Sequence, residues 1–171
     1  MGSGVRDGSI GPWNAFIVIE IRPAELPGEV PVVRQLFREY AEGLGLDLGF
    51  QDFEGELASL PGKYAPPQGR LLLARDGGMA VGCVALRPID GDTCEMKRLY
   101  VQSRVRGAQL GRRLAQRICD EARDAGYRRM CLDTLPTMSS AVRIYCALGF
   151  QPIDPYVFNP IEGAIFLGLD L

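Results

Sequence analysis

The chain contains no histidine at all. That absence removes Ser-His-Asp and Cys-His catalysis, H-E-x-x-H zinc sites and the commonest general base. Proton transfer must then fall to carboxylate, tyrosine, cysteine, lysine or water. The cysteines Cys83, Cys94, Cys119, Cys131 and Cys146 form no C-x-x-C pair. Their odd number and scattered spacing fit small apolar residues in a reducing, cytoplasmic setting, with no disulfide framework and no metal site expected. No run approaches the roughly 20 apolar residues that cross a bilayer. The stretch Trp13–Ile21 is too short for that and lacks a cationic leader. Arg6 stands where N-myristoylation favours Ser or Thr. No membrane partner is expected. Nor is excess charge of either sign present: the net charge of −2 gives no field that would draw the whole protein onto nucleic acid.

What is there suits one ordinary domain. With 171 residues, 47% apolar and 23% charged, the chain can bury a real core and is not disordered. The Gly/Ser-rich opening MGSGVRDGSIG reads as a flexible tail over residues 1–13, and 14–171 as a single domain. Phe16–Ile21 reads as a strand ended by Pro23. Helical spacing of Val33, Leu36, Phe37, Tyr40 and Leu44 follows over Val30–Leu44, then a shorter helix through Phe53, Leu57 and Leu60 to Pro61. Leu71–Ala74 and Met79–Leu86 read as strands joined at Asp76-Gly77-Gly78, and Thr93–Val101 as a third. A helix over Gln109–Ala125 buries Leu110, Leu114, Ile118 and Ala122, with Gly126 as its cap. The strand Arg129–Leu135, helix Ser139–Leu148 and strand Ala164–Leu171 close the chain. The order β-α-α-β-β-β-α-β-α-β describes one mixed sheet flanked by helices, an α/β (α+β) fold.

The chemistry concentrates in CEMKRLYVQSRVRGAQLGRRLAQRI, Cys94–Ile118. A strand feeds a short loop that opens into a helix, whose first N–H groups and partial positive charge make an anion site. Gly107 and Gly111 let the backbone approach a ligand, and Arg106, Arg112 and Arg113 add charge beside it. The loop matches neither G-x-x-x-x-G-K-[ST] nor G-x-G-x-x-G. By residue chemistry alone it is either a polyphosphate cradle or a turn with solvated arginines. On the strand before it, alternation puts Glu95 and Lys97 on one face, Met96 and Arg98 on the other. Glu95 is there either a general base in a cleft or an ion-pair partner of Lys97 or Arg98. Tyr145, ahead of Gly149-Phe150, is either core or a proton donor to a leaving thiolate.

Taken together these segments resemble the GNAT acetyltransferase superfamily, most densely over Glu95–Phe150. The family loop [QR]-x-x-G-x-[GA] is matched by Arg106-Gly107-Ala108-Gln109-Leu110-Gly111, and its tyrosine with a following Gly-Phe by Tyr145, Gly149 and Phe150. The resemblance implies a mostly antiparallel central sheet and transfer of an acetyl group from acetyl-CoA to a primary amine by direct attack. Backbone groups from Arg106 to Arg112 would hold the pyrophosphate, and Leu99, Tyr100 and Val101 the pantetheine arm. Glu95, directly or through water, would deprotonate the amine and Tyr145 protonate the departing thiolate, without a metal. A homodimer would be common for the family. Two positions depart from its pattern: Gln109 stands at the loop's usual first glycine, and Met138 at a usual asparagine. Tyr40, Leu46, Phe50, Phe53 and the turn-rich Pro155–Pro160 fall where the family receives its acceptor. Their apolar-to-mixed character suits a small-molecule or amino-acid-like amine. The alternative is a non-catalytic acyl-CoA-binding sensor or regulatory module.

Overall fold

A computed structural model describes residues 18–107 and 109–171. The 1–13 tail, the opening residues of the first expected strand and Ala108 lie outside the described residues. The chain runs β1 (Ile19–Pro23), α1 (Val30–Leu44), α2 (Phe53–Ser59), β2 (Arg70–Asp76), β3 (Met79–Pro88), β4 (Thr93–Val101), α3 (Leu110–Asp124), β5 (Arg129–Thr134), α4 (Ser139–Ala147), β6 (Gln151–Pro152) and β7 (Ile165–Asp170). The expected order holds, and the two-residue β6 is an addition too short for any periodicity to announce. The strands form one seven-stranded sheet ordered β1-β2-β3-β4-β5-β7-β6, antiparallel except for β4 and β5.

Alternation along the strands divides the core in two. Leu72, Val84, Leu86, Cys94, Met96, Met130 and Leu132 pack with Leu110, Leu114, Ile118 and Ala122 of α3 on one face. Leu71, Leu73, Cys83 and Ala85 pack with Val33, Leu36 and Phe37 of α1 and Phe53 and Leu57 of α2 on the other. Helix α1 begins with Pro in its first turn, where no intrahelical N–H is lost, and stops at Gly45 with φ 64°. Helix α3 ends as Gly126 takes φ 90° and Tyr127 N–H returns to Ala122 O.

Two departures from regular alternation shape the centre. The β3–β4 register steps from Cys83↔Tyr100 to Ala85↔Lys97, so Val84 faces both Arg98 and Leu99. The extra residue is a β-bulge, with Arg98 held at φ 60°. This overturns the expected faces of β4: Arg98 joins Glu95 and Lys97 on the α1–α2 side, because the bulge shifts the alternation by one. Secondly, β4 and β5 pair only at Thr93↔Arg129, Cys94↔Met130 and Glu95↔Cys131. Beyond Glu95 the two strands have no further mutual pairing, and the sheet forks.

Glu29, at the start of α1, ties that helix to the sheet. It accepts two hydrogen bonds from Arg22 of β1 at 3.0 Å, pairs with Arg75 of β2 and accepts from Glu25 N–H at 2.6 Å. These contacts, led by Arg22, lower its pKa from 4.5 to about 2. A lowered folded-state pKa gives stability that is present above the unfolded value and lost as pH falls through the folded one. Glu29→Gln should therefore melt below the parent at neutral pH, with the gap in Tm narrowing between pH 4.5 and 2; a gap independent of pH would contradict this.

Candidate active site

The fork between β4 and β5 opens into two adjoining spaces. The outer one is a cleft of about 630 Å³ lined by Leu99, Tyr100 and Val101 of β4, by Arg106, Gly107 and Gln109 to Arg112, and by Ser139, Ser140, Ala141 and Ile144 of α4. The inner one is a chamber of about 40 Å³ reaching Lys97, Arg98, Asp133, Tyr145 and Asn159. Tyr40, Leu44, Leu99 and Met138 line both, so the two adjoin.

The outer cleft gathers nearly the whole expected loop. Arg106 and Arg112 face it, but Arg113 does not: its guanidinium donates to Ile19 O of β1 at 2.8 Å, serving the sheet edge instead of the cleft. Gly107 stands at φ 100°, a conformation that needs glycine. Gln109, immediately before α3, stands at φ 53°, so a side-chain-bearing residue occupies a left-handed position. Gly111 admits close packing, since a Cβ there would lie 3.1 Å from Ile144 Cδ1. Relief at Gln109 should be measurable. Gln109→Gly is expected to raise Tm by up to about 4 °C and Gln109→Val to lower it, because glycine tolerates φ above zero and β-branched residues do not. Equal Tm for the two variants would contradict the left-handed geometry.

Tyr145 lies in the inner chamber, 6% exposed, its ring 5.8 Å from that of Phe150. Gly149 at φ 99° ends α4 and turns Phe150 back onto it, with Phe150 N–H bonded to Tyr145 O at 3.1 Å. Burial pushes the Tyr145 phenol well above its ordinary pKa of 10, so it keeps its proton. Met138 occupies the start of α4, accepts a weak contact from Thr134 Oγ1 at 3.7 Å and presents a thioether to both spaces.

Glu95 forms an ion pair, but not the one expected. It is 1% exposed and is not among the residues lining the chamber. Its partner is neither Lys97 nor Arg98 but Arg87 across the β3–β4 ladder, whose Nε donates at 2.8 Å. Tyr156 O–H donates to the other carboxylate oxygen at 2.7 Å. Arg98 is paired with Glu56 at 2.6 Å, donates to Gln51 at 3.1 Å and lies over the rings of Phe53 and Tyr40, at 5.0 and 5.5 Å from their centres. Breaking such a buried pair costs about 3–5 kcal/mol, so this cluster fixes the bulge. The carboxylate that does reach the chamber is Asp133, with Asn159 donating to it at 2.9 Å. Asp133 and Gln51 belong to no local motif and were missed by sequence reasoning, whereas Asn159 lies within the expected acceptor segment Pro155–Pro160. Of the expected acceptor residues, Tyr40 and Phe50 line the chamber, Phe53 is buried beneath Arg98, and Leu46 is exposed.

The acetyltransferase (GNAT) family model matches residues 30–150, and the chain belongs to that family. It is 43% identical to an uncharacterized N-acetyltransferase of Schizosaccharomyces pombe, over 90% of this chain and 95% of that protein. Among solved structures it is similar in fold to an acetyltransferase of Streptococcus agalactiae, with a TM-score of 0.73 and 22% identity over 90% of this chain and 98% of the other. It is likewise similar to the putative acetyltransferase yncA of Salmonella typhimurium, determined with acetyl-CoA, at a TM-score of 0.65 and 21% identity over 89% and 93% of the two chains. The enzyme class is thus an N-acetyltransferase. Among the described residues no helix is long and apolar enough to cross a membrane.

Proposed function

We propose that the protein transfers the acetyl group of acetyl-CoA directly to the amine of a small molecule, with the thioester at the junction of the two spaces. The observation that carries this reading is the fork: β4 offers Leu99 to Val101 to a cleft instead of to β5. An extended pantetheine arm satisfies such a strand edge as a further strand would. The pyrophosphate then meets the N–H groups opening α3, flanked by Arg106 and Arg112. Support also comes from the acetyl-CoA carried by the Salmonella protein of the same fold.

The amine attacks the thioester carbon, the C–S bond breaks, and Tyr145 gives its proton to the coenzyme A thiolate. Glu95 acts at one remove in this scheme. The proton of the acceptor nitrogen leaves through water to Glu95, whose carboxylate is oriented by the 2.7 Å hydrogen bond from Tyr156 O–H. Arg87 holds the carboxylate in place for that transfer.

Saturating acetyl-CoA, at about 100 times its Kd, should stabilise the fold by ~2.7 kcal/mol and raise Tm by roughly 5–11 °C, where ATP and NAD do not. Tyr145→Phe should keep that shift while losing about 100-fold or more in kcat. The absence of any shift at millimolar acetyl-CoA, or a fully active Tyr145→Phe, would contradict the reading.

A further inference from the structure

Lys97 is the side chain that this scheme leaves without a task. It is 8% exposed, lines the inner chamber, and makes one hydrogen bond, to Gln51 Oε1 at 3.2 Å. It has no ion-pair partner among the described residues. The neighbouring carboxylates are committed elsewhere, Glu95 to Arg87 and Glu56 to Arg98. A buried ammonium with two of its three donors unused is costly unless a ligand completes it. Desolvation accordingly lowers its pKa; Arg98 and Arg87 add to that effect, while Glu95 and Asp133 oppose it.

Asp133 faces the same chamber with only Asn159 as a neutral partner. The register makes the two charges counterparts. Glu95 pairs with Cys131, so two residues further along parallel strands Lys97 would stand opposite Asp133 on the same face. The fork separates them too far for an ion pair and leaves one charge on each wall. Arg98 is different, because its charge is already satisfied by Glu56.

We infer that the chamber is a subsite for a zwitterion, in which Lys97 takes the carboxylate of an amino-acid acceptor and Asp133 hydrogen-bonds its ammonium group. The chamber's volume equals that of about three water molecules. That is the scale of an ammonium, one carbon and a carboxylate, so the acceptor's side chain lies outside. This rests on the acetyltransferase reading above and names its substrate class.

The test compares the twenty common L-amino acids with their α-carboxamides as acceptors for the purified enzyme and acetyl-CoA. At least one amino acid should exceed its amide in kcat/KM by about 100-fold, since a site built for a charged group rejects the analogue that lacks it. Lys97→Met should bring that ratio near one through a raised KM for the acid, and Lys97→Arg should restore part of it. The same Lys97→Met should melt no lower than the parent, because it removes a buried, unpaired charge. Amides used as well as acids, or a preference that survives in Lys97→Met, would overturn the zwitterion subsite and leave the acetyltransferase reading standing. Transfer to neither set would also overturn the subsite. Only with a concurrent failure of acetyl-CoA to stabilise the protein would the acetyltransferase reading fall as well.

Discussion

The interaction on which this molecule's architecture turns is the short parallel pairing of β4 with β5, which stops at Glu95 and Cys131. Up to that point the two strands satisfy each other's backbone and carry the core across the sheet. Past it, the inward edge of β4 needs other partners, and the sheet becomes a wedge with an open end. The candidate chemistry is arranged along that opening: the loop and the start of α3 at its outer end, and Tyr145, Lys97 and Asp133 in the inner chamber.

Holding a sheet half open takes reinforcement, and the Arg98 cluster supplies it. The bulge turns this arginine onto the α1–α2 face, where Glu56, Gln51, Phe53 and Tyr40 surround it. A left-handed φ at a non-glycine residue costs roughly 1–3 kcal/mol. The buried charge-assisted bonds offset that cost only while all the partners are present. The same cluster links α2 to β4. Gln51 receives hydrogen bonds from both Arg98 and Lys97, so the segment leading into α2 sets the position of the chamber's cationic wall.

Much of the fold was legible in the sequence because its signals are local. Helix α1 follows from the spacing of Val33, Leu36, Phe37, Tyr40 and Leu44, and the β2–β3 hairpin from Asp76-Gly77-Gly78. The loop and Tyr145 were legible as a family pattern. What alternation could not reveal was the bulge: an extra residue opposite Val84 leaves no mark in the order of apolar and polar residues, and it moved Arg98 to the opposite face. Glu95 was read as important, but its true partners lie 8 and 61 residues away. Asp133 and Asn159 come together only because β5 and the segment before β7 meet beside the fork. Such pairings depend on strand order, which one sequence does not print.

The most direct test of the fork as an acetyl-CoA site is amide hydrogen exchange, residue by residue, with and without the ligand. Added acetyl-CoA should slow exchange at amides of Leu99–Val101 and Arg106–Arg112, with little change in β1 and β2. Protection confined to other segments, or none at saturating ligand, would contradict the claim that the open edge of β4 is completed by the pantetheine arm.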